Sequence, residues 1–420
     1  MSSIVSRLYQ VPPSSRPLSL ELQELIDLQR RPSTNCRHTF LTHGATSLDI
    51  SGRPARTTPH AWLRSRKAMD TRTARVNHHR GAKDQLCVPQ MFSFGHLRQL
   101  DAVMAEALRR AWSFLSLPAR LVFDLDSTIC EVAGKHKSGA AYGYTKVLGY
   151  HPILATRSDT GEVVHARMRK GSANTCRGAK RFVEELVARA RRAGATGKIV
   201  LRMDSGFWSK EILASLCRLG VSFTMAVRTA NVAISRAIEE IDEDAWVTIE
   251  YPEDGEAQVA ETSYKGFRLV VRRTRLVGPQ ATLWPNWRHF AFLTDLDGTA
   301  TELDAFHRNH AVIELDIRDL KEGSGLCHLP SGNFWANGAW LACAVLAHNL
   351  LRWTQMLGEL ELEDHRPVVA RTMRTRIISV PGRLVNRSGM MTLRAPSRWP
   401  WQKSFQVALQ KIRAIPLAVT

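Results

Sequence analysis

At 420 residues the chain is long enough to bury more than one hydrophobic core, which excludes a miniature domain held by disulfides and leads to an expectation of two or three domains. A composition of 44% hydrophobic and 23% charged residues excludes a wholly disordered polymer. The formal charge of +19 is out of the ordinary and sits at the ends: residues 1–90 hold 14 Lys/Arg against 6 Asp/Glu, residues 365–420 hold 11 against none, and residues 91–364 balance. Basic ends on a neutral body fit a polyanionic partner, nucleic acid first. The seven cysteines form no CxxC pair, which argues against a zinc ribbon or dithiol redox centre and fits a reducing compartment. No apolar signal-like run follows Met1, so a cytoplasmic protein is expected.

In chain order, residues 1–90 read as a basic arm, poorly ordered or atypical, with one amphipathic helix at 18–30 (LSLELQELIDLQR). Residues 91–118 form a helical lead-in, with Leu97, Leu100, Val103 and Leu108 at helical spacing over 96–114. A buried-type strand follows at 119–126 (ARLVFDLD), then strands at 144–155 and 163–169 joined by a turn at 158–161. A helix at 178–193, a strand at 198–204 (KIVLRMD), a helix at 209–219, a strand at 221–227 and a helix at 230–241 complete the first part of a core, 119–245. The order places Asp126 and Asp204 at strand ends of one mixed α/β sheet, where sites gather.

Residues 246–298 turn strand-rich (VTIEY, FRLVVRRTRLV, WRHFAFLTDL) and read as an inserted subdomain. Helical pattern returns in 299–358, at 303–321 and 334–353, and 359–420 is a basic C-terminal segment. The 334–353 stretch is apolar enough to raise a membrane span. Its Asn337, His348 and Asn349 favour a core helix instead, and no membrane partner is expected.

Chemistry concentrates in the carboxylates. Side chains alternate along a strand, so Asp124 and Asp126 point the same way. On a helix, His307, His310, Glu314 and Lys321 line one face, the plain alternative being a solvated face with i, i+4 pairing. Three acidic groups from separate segments can converge on hard divalent cations, and two such ions roughly 3.5–4 Å apart promote phosphodiester displacement. A competing reading is a phosphatase of the haloacid-dehalogenase type, since FDLDST (123–128) and TDLDGT (294–299) fit Asp-x-Asp-x-Thr loosely, with Asp124 as nucleophile and Asp126 as acid/base. Against it, no later Asp-Asp pair is found.

The motifs FSFGHLRQLD (92–101), FDLDST, GYTKVLGYHP (143–152), LRMDSGF (201–207), HAVIELDIRDLKEG (310–323) and PSGNFWANGAWLACAVLAHNLLRW (330–353) resemble, in this order, the DDE-type transposases of bacterial insertion sequences, in the group with a β-strand insertion before the Glu. The resemblance implies a ribonuclease-H-like mixed sheet flanked by helices. It implies two Mg²⁺ ions, with Mn²⁺ as substitute, on a triad of Asp126, Asp204 and Glu314, with Asp124 as a further ligand. It implies cleavage and strand transfer on double-stranded DNA, at terminal inverted repeats and target, by a homodimer near the bacterial nucleoid. The signature Tyr-x2-Arg-x3-Glu-x6-Lys maps to His307, His310, Glu314 and Lys321, so these and Arg308 are expected at the DNA. Some relatives hold a displaced base on an aromatic side chain, a role for which Trp284 and Trp287 are candidates. The alternative within the family is a DNA-binding remnant without catalysis, its mark being His at the Tyr and Arg positions.

Overall fold

The computed structural model describes residues 92–250, 255–276, 287–360, 368–387, 389–396 and 398–416; the helix expected at 18–30 and Trp284 lie outside them. Helix α1 (Phe94–Ser113) starts at Ser93, whose backbone N–H donates to His96 Nδ1 at 3.1 Å, and buries Leu108, Ala111 and Trp112. Strand β1 (Arg120–Ser127) follows, then the short β2 (Cys130–Glu131), β3 (Ala141–Tyr142) and β4 (Leu148–Tyr150), and the longer β5 (Ile153–Arg157) and β6 (Val163–Arg167). The single strand expected at 144–155 is thus two. Lys146 takes a left-handed φ of 55°, and Pro152, with no N–H to give a ladder, separates β4 from β5. Strand β4 pairs instead with β2 and β3 in a small sheet beside the exit of β1.

Helix α2 (Ala179–Arg192), strand β7 (Lys198–Met203), helix α3 (Lys210–Leu219), strand β8 (Ser222–Val227) and helix α4 (Val232–Glu239) come next. Strands β5 and β6 are antiparallel to their neighbours, while β7 runs parallel to β1 and β8 parallel to β7, in the spatial order β6-β5-β1-β7-β8. Counted along the chain this order is third, second, first, fourth, fifth. It is the ribonuclease-H-like mixed sheet expected.

The strand-rich insertion is present and continues that sheet. Strands β9 (Val247–Ile249), β10 (Gly255–Tyr264), β11 (Phe267–Leu276) and β12 (Arg288–Thr294) extend it past β8, through antiparallel pairing of β12 with β8, to nine strands among the described residues. The single helix expected at 303–321 is two: α5 (Ala300–Arg308) and α6 (Val312–Gly323), joined by one 3₁₀ turn at Asn309–Ala311. Helix α7 (Phe334–Gly358) is followed by α8 (Ala370–Met373), the hairpin β13 (Arg383–Arg387) and β14 (Met390–Arg394), and α9 (Gln402–Ala414). The tail packs Ala408 with Met373 and Val368.

Strand alternation assigns the two faces of the sheet. Leu121, Phe123 and Leu125 of β1 and Ile199, Leu201 and Met203 of β7 pack with Phe182 and Leu186 of α2 and Leu216 of α3. The residues between them in sequence project to the other face, where Val200, Phe292 and Leu303 form a separate cluster under α5. Asp124, Asp126, Arg202 and Asp204 belong to that second face. Helix α7 is a core element whose polar side chains are all partnered: Asn349 accepts from Val163 N–H and donates to Val163 C=O, both at 2.8 Å, closing the edge of β6. No helix among the described residues is long and apolar enough to cross a membrane.

Candidate active site

The first expected carboxylate, Asp126, stands near the end of β1, and its Oδ1 accepts the Ser127 backbone N–H at 2.6 Å. Asp204 is the first residue past β7, where its Oδ1 accepts the Gly206 N–H at 3.0 Å and so caps the 3₁₀ turn Ser205–Phe207. Glu314 lies in the first turn of α6, where the positive end of the helix dipole favours an anion.

Asp204 and Glu314 both lie within electrostatic reach of Asp126. Burial pushes the Asp126 carboxyl up to about 6, the negative charges of Asp204 and Glu314 adding to it while the Ser127 N–H and His310 oppose. Asp204 is solvent-accessible as a residue, yet protein crowds its carboxyl enough that desolvation raises its pKa, against the Gly206 N–H and His310.

Asp124 departs from the expected role. It is fully buried, and Arg202 grips it bidentately, Nε to Oδ1 and Nη2 to Oδ2, each at 2.7 Å. His310 Nδ1 lies 2.8 Å from the same Oδ1 and donates to it. Both carboxylate oxygens are therefore engaged by the Arg202 guanidinium and one of them also by His310, where the sequence points to a further metal ligand. The same arrangement removes the nucleophile of the phosphatase reading. In that reading's other motif, Asp295 Oδ1 accepts the Phe223 N–H at 2.8 Å and Thr299 caps α5, so both serve the fold.

The row expected along one helix is broken by the 3₁₀ turn. His307 stacks on Phe292 at 4.3 Å and hydrogen-bonds Thr224 Oγ1 at 2.7 Å. Burial depresses its pKa to about 3, so it stays neutral and is turned away from any phosphate, a correction to its expected place at the DNA. His310 is occupied by Asp124 and not by solvent. Lys321 donates to the Ile129 carbonyl at 2.9 Å, tying α6 to the exit of β1. Arg308 is half-exposed and paired with Asp304 at 2.8 Å. Trp287 carries the guanidinium groups of Arg273 and Arg275 over its ring, 4.6 and 4.5 Å from the ring centre, so the ring already has cationic partners within the protein.

Sequence reasoning missed two groups. His151 is buried; its Nδ1 donates to the Ala173 carbonyl at 2.7 Å, which leaves Nε2 to accept the Ser127 hydroxyl at 2.9 Å beside Asp126. Beyond Asp204 opens a cleft of about 810 Å³ whose walls include Tyr144, Trp208, Arg228, Asn231 and Tyr264. These side chains come from separate loops and strand ends, with no shared spacing to betray them.

Whether the carboxylates suit a divalent cation follows from their donors. Among the described residues no three His, Cys, Asp or Glu side chains are close enough to form a ready-made metal cluster. Asp126, Asp204 and Glu314 would offer an all-oxygen set of carboxylates. That suits a hard cation that takes few carboxylates and keeps several waters.

The profile of the transposase DDE domain group 1 family matches residues 65–417, beginning before the first recognisable motif at Phe92. No curated protein sequence matches the chain. Among solved structures, the piggyBac transposase synaptic complex with hairpin DNA is similar over 84% of this chain and 74% of its own, at 12% identity and a TM-score of 0.43. The Mos1 transposase paired-end complex with left transposon end is similar over 51% of this chain and 60% of its own, at 12% identity and a TM-score of 0.19. The Mos1 mariner paired-end complex with Mn covers 53% and 76%, at 11% identity and a TM-score of 0.19.

Proposed function

The chain belongs to the transposase DDE domain family, and from that membership we propose that it cuts and rejoins DNA at the ends of a mobile element of the bacterial insertion-sequence type. What supports this reading is that Asp126 and Asp204 stand at the ends of the adjacent parallel strands β1 and β7, and that the charges of Asp204 and Glu314 both bear on Asp126. Those three residues would hold Mg²⁺, as two ions with Mn²⁺ as substitute, which supply activation of water or a 3′ hydroxyl and charge stabilisation at the leaving oxygen.

The remaining tasks fall to side chains of this chain. The Gly206 and Ser127 N–H groups each hold one carboxylate oxygen of Asp204 and Asp126, fixing the direction of the other. The Ser127–His151–Ala173 chain of hydrogen bonds stiffens the backbone beside Asp126. Arg228, Tyr144, Trp208 and Tyr264 line the cleft beside Asp204, a cationic and three aromatic side chains of the kinds that meet phosphates and bases of a strand led past it. The basic residues of 365–420 add sequence-independent attraction to double-stranded DNA. We further propose a homodimer that pairs two terminal inverted repeats before joining them to target DNA, working at the nucleoid in the bacterial cytoplasm.

The test is incubation of the full chain with labelled duplex from the borders of its own gene, with Mg²⁺ or Mn²⁺. Metal-dependent cleavage is expected, abolished in Asp204→Asn while DNA binding persists. Binding without cleavage by the wild type under either metal would leave only the DNA-binding remnant.

A further inference from the structure

Each expected ligand has, a few residues before it, a partner in a single cluster. Asp124 precedes Asp126 by two residues on β1, and Arg202 precedes Asp204 by two at the end of β7, so each pair projects to one face of the sheet. His310 precedes Glu314 by four and lies in the 3₁₀ turn that leads into α6. Asp124 and Arg202 are direct Cα partners in the parallel β1–β7 register, with Leu125 and Met203 paired next, so the register that sets the salt bridge also sets the strand ends beyond it. His310 closes the cluster from the helical side. Arg202 reaches further, donating Nη1 to the Phe306 carbonyl at 2.7 Å with its guanidinium over the Phe306 ring at 5.0 Å, and Nη2 to the Ser158 hydroxyl.

We propose that Asp124, Arg202 and His310 are positioning residues that set the mutual placement of Asp126, Asp204 and Glu314, and that His310 acts through Asp124 rather than on DNA. The inference rests on the reading of those three carboxylates as the cation site. A buried ion pair is weak evidence for stability, because a well-packed apolar replacement often serves as well; what it adds is one fixed geometry. Here the bidentate fork fixes β1 against β7, and the His310 N–H fixes the helical turn carrying Glu314 against β1. Metal ligands tolerate displacements of only about 0.5 Å, so loss of this clamp is felt as lost cation affinity.

The experiment is Mn²⁺ binding to the full chain, read by electron paramagnetic resonance of the free ion, with the melting temperature of each metal-free variant measured alongside. Glu314→Gln is expected to weaken Mn²⁺ binding, which establishes the site. His310→Ala is expected to weaken it by about tenfold or more, the usual cost of losing a group that orients a ligand. His310→Asn, whose amide N–H stands near the position of Nδ1–H, restores most of the loss. Both His310 variants should melt within a few degrees of each other, so affinity and stability separate. Asp124→Asn, of nearly unchanged volume, gives the second arm and should also weaken binding.

If His310→Ala binds Mn²⁺ as tightly as wild type, or more tightly, the positioning role is overturned. If Glu314→Gln binds as well as wild type, the cation-site reading falls first and this inference with it.

Discussion

Two sets of carboxylates in this chain are treated in opposite ways. In the layer under α7, Glu162 receives the indole N–H of Trp112 and of Trp353, the latter at 3.2 Å, with Arg157 4.0 Å away. Asp319 there accepts the Ala370 N–H at 2.9 Å and Arg352 at 3.3 Å. At the strand ends, Asp126 and Asp204 each have a backbone N–H donor on one oxygen and, among the described residues, no hydrogen bond from a Lys or Arg side chain. The structural carboxylates are paired with side-chain cations or indoles, and the two at the strand ends, which we propose as cation ligands, are not.

The largest effect should come from breaking the second set. Asp204→Asn removes one hard oxygen ligand and several kcal/mol of transition-state stabilisation, so DNA cleavage should fall at least about a thousandfold with binding retained. Breaking the first set should cost stability instead. Asp319→Ala leaves Arg352 buried with only Asp316, 3.6 Å away, and strips the Ala370 N–H of its acceptor. A loss of about 3–5 kcal/mol in chemical denaturation is expected, with cation affinity little changed in the fraction that stays folded.

The contrast sharpens in Asp126→Asn. Its carboxyl, raised to about 6 by burial and by its acidic neighbours, is a net burden on the metal-free fold at neutral pH. In chelator the variant should be more stable than wild type by about 1–2 kcal/mol, while inactive. The same variant changes the acid limb of stability. His307 and His348 have pKa values depressed by burial to about 3 and about 4, and His165 lies well below its usual value for the same reason. The unfolded chain binds protons at these sites near pH 6.5 and the folded chain does not. Their stability is whole above that pH and is lost as pH falls toward the folded values, by about 1 kcal/mol per histidine per pH unit. Asp126 has the opposite sign, its burden lifting as pH drops through about 6. Melts between pH 7 and 5 should therefore fall more steeply for Asp126→Asn than for wild type.

The sequence made the sheet and the two strand-end carboxylates legible because both rest on periods. Two-residue alternation in FDLD and a carboxylate closing KIVLRMD place Asp126 and Asp204 without coordinates. It could not show which charge is already spent. Asp124 and Asp126 look alike in sequence, and only the pairing of β1 with β7 brings Arg202 to the first of them. The helical row failed for a local reason: one tighter turn at Asn309–Ala311 shifts the phase and rolls His307 onto Phe292. The strand at Gly255–Tyr264 escaped notice because its core positions, Ala257 and Ala260 among them, are small and its apolar signal weak. The cleft residues could not be read at all, since Tyr144, Trp208 and Arg228 meet only through the sheet.

Arg308 offers the smallest test and a clean one. Its Nε bonds Asp304 one turn earlier, and Asp304 is also approached by Arg272 at 3.3 Å, so the buried carboxylate keeps a cation when Arg308 is lost. Arg308→Ala should then change stability by less than about 1 kcal/mol, as for other half-exposed pairs. If Arg308 meets the DNA backbone, as proposed from its place beside the helical signature, the same variant should weaken binding uniformly across sequences. The slope of log affinity against log salt should also flatten by about 0.9, the share of one phosphate contact. An unchanged slope would assign Arg308 wholly to Asp304 and restrict the DNA face to the cleft side of Asp204.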